Sequence, residues 1–453
     1  MPTSDTLPIA SLAETRPRSP EVHLLRTESG DHAFVVDGSR LFDLDKGAFA
    51  QLSAALDSEA IGSVLDELGL AAPSPYIDDV ALTRMPVRAL SLAIAQKCNL
   101  GCTYCYAQEG DFGAAPKNMP LETALASVDL LLKETSAGER INLAFLGGEP
   151  LVNRDVLRRT AGYARDRAAA RGQKIGFSIT TNGTLLTPAD ADFFDDFGFA
   201  VTVSLDGPRE THDRQRPFKS GRGSFDIIVK RLEPLLARRG AMQVTARVTV
   251  TPKNLDLRQT LDELLALGFY TVGFSPMLAS PAGSGEMDAG SLDAMLHGMI
   301  ACGVEFERRA LLSQPYAFAN LMTALREIHR GTHRPYPCGA GAGYLGVSAD
   351  GDLAACHRFV GDPVAQMGSL EHGVDRILQG EWLKSRHVHV QEPCKSCWAR
   401  YLCGGGCHHE VLARGRGACD FIRGWLHYCL QAYLRLSAAR PEMFSGGNRA
   451  ELH

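Results

Sequence analysis

Between about residues 87 and 277, short apolar runs alternate with stretches in which apolar positions recur every three or four residues. The runs are Ala89–Ala95, Ile141–Leu146, Ile175–Thr180, Ala200–Leu205, Val244–Val250 and Thr271–Phe274. The periodic stretches include Leu121–Lys133, Val156–Ala170, Phe225–Arg238 and Thr260–Leu267. Runs of that length bounded by turn residues predict strands, and the longer period predicts helices. Strand–helix alternation predicts parallel strands joined by right-handed crossovers. Six such units are too few for a closed eight-stranded barrel. The expected fold class is therefore α/β, an open partial (β/α)6 TIM-like barrel over residues 85–280, with chemistry at the C-terminal strand ends.

The flanks read differently. Residues 1–20, with four prolines, predict a loose tail. Residues 21–72 predict a small winged-helix-like module: short strands with Asp37-Gly38 as a turn, then two helical patterns closed by Gly69. Residues 71–75 (AAPSP) predict a linker. Residues 281–335 predict a helical bridge, on which Cys302 sits in an apolar face as a small buried hydrophobe. Residues 336–435 form a cysteine-rich region, and 436–453 a tail.

Composition narrows the class. The 453 residues carry 45% apolar and 22% charged residues, ordinary for a globular chain. A net charge of −5 argues against nucleic acid as a partner. No apolar run reaches the length of a membrane helix, and no secretory signal opens the chain. A cytoplasmic protein is expected. Twelve cysteines then read as metal ligands rather than disulfides.

Cys98, Cys102 and Cys105 form C-x3-C-x2-C on the loop after the first strand. One short loop can hold three corners of an iron–sulfur cube and leave one iron open. A zinc knuckle is the bland alternative. Gly147-Gly148-Glu149-Pro150 leaves the second strand, where Glu149 can accept from an ammonium group. Asn182 lies in T-T-N-G after the third strand, and Ser204 and Asp206 lie in S-L-D-G after the fourth. Arg247 is in the fifth strand, expected to be buried and to need an anionic partner. Asp213 follows the fourth strand as a substrate-side candidate or a solvated charge.

This set, with Tyr104 before the last loop cysteine, resembles the radical SAM enzymes. The resemblance implies S-adenosylmethionine on the open iron of a [4Fe-4S] cluster, and a 5′-deoxyadenosyl radical that abstracts hydrogen. It implies Tyr104, Gly147, Gly148, Glu149, Asn182, Ser204 and Arg247 around the cofactor, with Glu149 on its amino group, Arg247 on its carboxylate, and Ser204 or Asp206 on its ribose or carboxylate end. Cys338 and Cys356, then Cys394-x2-Cys397-x5-Cys403-x3-Cys407 with Cys419 beyond, resemble the SPASM extension of radical SAM peptide maturases. That resemblance implies two auxiliary [4Fe-4S] clusters, three clusters in all: Cys338, Cys356 and Cys407 at the first, and Cys394, Cys397, Cys403 and Cys419 at the second. Some relatives have a further cysteine where Tyr344 stands. The corner so left is open to substrate or filled by Cys429, which could also exchange with Cys419. The 21–72 module resembles the element that binds a precursor's leader segment as an added strand.

The expected activity is a cross-link in a ribosomal peptide or small subunit, a thioether from cysteine sulfur to a carbon of an acidic residue. The C-terminal stretch is most similar to the family that matures quinohemoprotein amine dehydrogenase. Asp206, Asp213 and His357 are candidates for the catalytic base. A flavodoxin or ferredoxin is the expected electron donor. Alternatives are carbon–carbon cyclophane formation, epimerisation, or sulfatase maturation, against which His357 stands where those relatives place aspartate. A non-enzymatic electron-transfer scaffold is the remaining alternative, and a carrier needs no cofactor pocket.

Overall fold

A computed structural model describes residues 12–78, 80–238, 242–281 and 283–445. They fall into two compact units: the residues up to Ala81 with Asp288–Cys338 and Ser385 onward, and Leu82–Met287 with Gly339–Lys384.

In the first unit, β1 (Val22–Thr27), β2 (Gly30–Val35) and β3 (Arg40–Leu44) make an antiparallel sheet in that order. Asp45 caps the following helix, Lys46–Ala55, by accepting from the Ala48 amide at 2.8 Å. Val22, Ala33 and Val35 on one sheet face bury against Leu52, Leu56, Ile61 and Leu65. Of the tail expected at 1–20, residues 1–11 lie outside the described residues. The rest is tied down: Thr15 is buried, its carbonyl accepts from Trp398 Nε1 at 2.9 Å, and the Pro20 carbonyl accepts from Arg400. Longer helices follow at Ala289–Leu311, Ala319–His329 and Cys419–Ala439. The last runs into the segment expected as a C-terminal tail, of which residues 446–453 lie outside the described residues.

The second unit is built on one sheet. Its strands are β4 (Ala89–Gln96), β5 (Lys117–Asn118), β6 (Arg140–Gly147), β7 (Lys174–Thr181), β8 (Ala200–Ser204), β9 (Gln243–Val250), β10 (Thr271–Pro276), β11 (Tyr344–Val347), β12 (Asp352–Ala354), β13 (Gln366–Ser369) and β14 (Gly373–Val374). The order β10-β9-β8-β7-β6-β4 is parallel throughout, each strand beside the next long one in sequence. This is a singly wound partial barrel. The sheet then continues: β11 pairs in parallel with β4, and β12–β14 add antiparallel strands. The boundary expected at residue 336 is thus cut differently. Residues 339–384 extend the barrel sheet, and the cysteine-rich stretch from 385 belongs to the first unit.

Alternation along the strands sorts the two faces. On β9, Val244, Ala246, Val248 and Val250 are buried, whereas Thr245, Arg247 and Thr249 are not. On β8, Val201 and Val203 are buried between the partly open Thr202 and Ser204. The apolar face packs away from solvent, and the other face carries hydroxyls and one guanidinium.

Candidate active site

The cysteine loop leaves β4 and is held by backbone. The Gly101 amide donates to Pro217 O (2.8 Å) and the Thr103 amide to Gln215 O (3.0 Å). Asn99 and Asn182 tie it from a second side: Asn182 Nδ2 donates to Asn99 Oδ1 (2.9 Å) and lies 3.6 Å from Cys98 Sγ. Asn182 Oδ1 accepts from the Thr184 amide and hydroxyl. The amide expected at the cofactor is thus spent on holding the loop.

Gly147 and Gly148 bring a third constraint. A Cβ at Gly147 would lie 2.3 Å from Ala95 O, and one at Gly148 2.3 Å from Lys97 O. The close approach these glycines permit is to the chain's own cysteine loop. Glu149 follows, fully buried. Its Oε1 accepts from the Leu151 amide (3.0 Å) and Thr181 Oγ1 (2.8 Å), and its Oε2 from the Asn182 amide (2.7 Å). A carboxylate has about four acceptor positions. One on Oε2 remains, which suits an ammonium donor. Burial raises the pKa of Glu149, against the pull of those amides.

Cys98, Cys102 and Cys105 are all half-buried. Burial pushes the Cys98 thiol up to about 11 and the Cys102 thiol up to about 12; the Cys105 sulfur adds to both, and that of Cys98 to Cys102. Thiols so placed ionise when cations bind them. Among the described residues no three His, Cys, Asp or Glu side chains converge on one metal ion.

Behind the loop lies a charged network. Arg216 Nη1 donates to the Tyr104 hydroxyl (2.7 Å), which donates to Asp206 Oδ2. Asp206 Oδ1 accepts from the Thr249 amide (3.0 Å). All three side chains are buried. Burial raises the Asp206 carboxyl, and Arg216 pulls it down. Burial also opposes the Arg216 charge, but Cys102, Tyr104 and Asp206 hold it well above its usual range. Two expectations are corrected here. Tyr104 is enclosed, its hydroxyl spent on Asp206 and Arg216. Asp206 has both oxygens engaged, so it orients this network rather than serving as a base. Arg216 is the residue that sequence reasoning undervalued; the run His212-Asp213-Arg214-Gln215-Arg216 after S-L-D-G was its only signal.

Asp213 is corrected as well. Its Oδ1 accepts from the Ser224 and Phe225 amides (2.7 and 2.8 Å), fixing the start of the helix Phe225–Leu236. His212 is buried and held neutral by burial; its Nδ1 accepts from the Asp206 amide and its Nε2 meets Ser224 Oγ at 3.0 Å. Arg247 is exposed on the open face between Ser204 of β8 and Gly273 of β10, not buried as expected. His357 follows Cys356 and its Nδ1 meets the Tyr344 hydroxyl at 2.7 Å, which donates to Ser91 Oγ at 2.7 Å. Tyr344 thus holds the third base candidate, His357, in place.

The first unit carries a second cysteine set. Cys403, Cys419 and Cys397 all raise the Cys394 thiol, which burial pushes up to about 11. Cys397 and Cys419 likewise act on Cys403. Cys429 stands apart. It is fully buried, raised first by burial and then by Glu307, with no cysteine acting on it. Ten residues of helix separate it from Cys419, about 15 Å of rise. The two cannot exchange at one cluster corner, which corrects that expectation. Cys338 and Cys407 are exposed in the first unit, and Cys356 is buried in the second.

Comparison with known proteins agrees with this geometry. Residues 92–274 match the model of the Radical SAM superfamily. The chain is 26% identical over 349 residues to a serine-type anaerobic sulfatase-maturating enzyme of Klebsiella aerogenes, covering 73% of this chain and 82% of that one. It is 32% identical over 160 residues to the cysteine-type enzyme of Clostridium novyi, covering 33% and 41%. Among solved structures, native anSMEcpe with bound AdoMet superposes with a TM-score of 0.65 at 20% identity, covering 78% of this chain and 99% of that one. Streptococcus suis SuiB bound to precursor peptide SuiA gives 0.52 at 13% identity, covering 87% and 96%. No described helix is long and apolar enough to cross a membrane. Residues 92–274 are thus a radical SAM domain, in a chain that is similar to a sulfatase-maturating enzyme over 73% of its length.

Proposed function

We propose that the protein is a peptide maturase that installs a thioether between a cysteine sulfur and a carbon of an acidic residue. The observation that carries the radical SAM part is the set of three interacting, half-buried thiols beside a buried Glu149 with one acceptor position left. S-adenosylmethionine and its [4Fe-4S] cluster, when bound, supply a 5′-deoxyadenosyl radical that takes a hydrogen atom from substrate. Cys98, Cys102 and Cys105 would hold that cluster. Glu149 would accept from the cofactor's ammonium, with Ser204 and Arg247 toward its ribose and carboxylate. Cys394, Cys397, Cys403 and Cys419 would hold an auxiliary cluster. The network of Arg216, Tyr104 and Asp206 keeps the loop's surroundings rigid and dry, as a reactive radical requires.

His357 is the proposed base for the substrate thiol, oriented by Tyr344 and Ser91. A peptide substrate is supported by β3, whose outer edge has no strand partner among the described residues and can accept an extended leader. SuiB is described as bound to its precursor peptide. A flavodoxin or ferredoxin is the proposed electron source.

A second reading is maturation of a sulfatase residue, favoured by the Klebsiella relative. Mass spectrometry of a co-expressed cysteine-containing candidate peptide separates the two. Loss of two hydrogens with the cysteine blocked to alkylation supports the thioether. An aldehyde in place of the side chain supports the sulfatase reading, and an unchanged mass with inverted stereochemistry supports epimerisation instead.

A further inference from the structure

Tyr106, the residue after Cys105, has no part in the chemistry above. Its ring is fixed from three sides. Phe112 meets it edge-on with centroids 6.3 Å apart, His357 does so at 5.8 Å, and the Arg358 guanidinium lies over it at 5.4 Å. Ala93, Ala107 and Val360 pack around it. Its hydroxyl has no hydrogen-bond partner among the described residues. A ring locked this firmly aims that hydroxyl at a set place. Arg358 also donates to Ala279 O at 3.4 Å, just beyond the end of β10, so its head group is at the C-terminal edge of the sheet. The positive charges acting on the Tyr106 hydroxyl are Arg358 and Arg247. Arg247 has no ion-pair or hydrogen-bond partner among the described residues, and glycine at position 273 beside it leaves its flank open.

We propose that Tyr106 and Arg358 form a receptor for one substrate carboxylate, separate from the Arg247 proposed above for the cofactor. A phenol O–H and a guanidinium can each donate to one oxygen of the same carboxylate. This rests on the reading that the modified residue is acidic; it names the groups that would select that acid over its amide. The same chemistry could serve the carboxylate of the cofactor, and the experiment separates the two sources.

The probes are N-acetyl-aspartate methylamide and its asparagine counterpart. Binding is read by saturation-transfer NMR on the oxidised, reconstituted full chain, with and without saturating S-adenosylmethionine. The aspartate probe is expected to bind about tenfold tighter than the amide, as for a charge-assisted hydrogen bond. That preference persists when the cofactor is present. Arg358→Gln erases it and Arg358→Lys restores part of it. Tyr106→Phe, which removes one oxygen, lowers it about threefold and carries the test should Arg358→Gln lose iron. Equal binding of the two probes overturns the proposal. So does a preference that survives Arg358→Gln, or one that S-adenosylmethionine competes away, which would make the site the cofactor's own. No turnover is involved, so a product linked at a non-acidic residue would defeat the cross-link reading while leaving the probe result to be judged separately.

Discussion

The loop of Cys98, Cys102 and Cys105 and the set of Cys394, Cys397, Cys403 and Cys419 use the same ligand atom in different surroundings. The four-thiol set has Arg416 and Arg423 among the charges acting on it. It has a full complement of sulfurs for one cubane. The three-thiol loop is one sulfur short, and its neighbours are a buried acid with a spare acceptor position and an arginine bound into a tyrosine–aspartate network. A closed site stores electrons or holds structure, and an open one admits a reactant. The difference lies in the missing ligand and in the polar groups placed beside the gap.

That contrast can be broken from either end. Cys102→Ala should abolish reductive cleavage of S-adenosylmethionine, read as 5′-deoxyadenosine, and remove about four irons per chain while leaving the rest. Arg216→Met leaves Asp206 buried without its cation, and chemical denaturation should show a loss of about 3 kcal/mol. Cofactor cleavage should fall with it, because Cys102 loses its neighbouring charge. Cys419→Ala should remove about four irons from the other centre, whereas Cys429→Ala should keep full iron content and cost about 1 kcal/mol of packing. Asp213→Asn should keep 5′-deoxyadenosine formation within about twofold and lower thermal stability by a cap's worth, about 1 kcal/mol. The smallest effect concerns pH in the first unit. Burial lowers the His333 pKa to about 4. The unfolded chain then binds more protons between its ordinary value and that one, so stability falls as pH drops through this window. His333→Gln should flatten the slope of the unfolding temperature against pH.

The barrel was legible because its strands are apolar on the buried face and its helices keep their period. The six parallel strands fall within a residue or two of the apolar runs. The sheet's continuation was not legible, because β11–β14 are two to four residues each and carry no periodic signal. The cysteine spacing marked both thiol sets as candidate ligands. The role of each polar residue depended on burial, which spacing does not report. Asp213 and Asp206 read as candidate bases and Asn182 as a cofactor contact in sequence, yet folding commits their side chains to backbone amides, to Tyr104 and to the cysteine loop. Tyr106 and Arg216 carry no distinguishing signal in sequence, because single aromatic and basic residues after a motif have many ordinary explanations.

The claim at the centre is that the Cys98–Cys105 loop carries a cluster with one iron open to the cofactor. Electron paramagnetic resonance on dithionite-reduced protein lacking both auxiliary centres, as a Cys356→Ala/Cys407→Ala/Cys394→Ala/Cys397→Ala/Cys403→Ala variant, tests it most directly. Addition of S-adenosylmethionine should shift the g-values of the remaining reduced cluster signal. A spectrum unchanged by the cofactor, or a loop that carries zinc and gives no signal, would contradict the account.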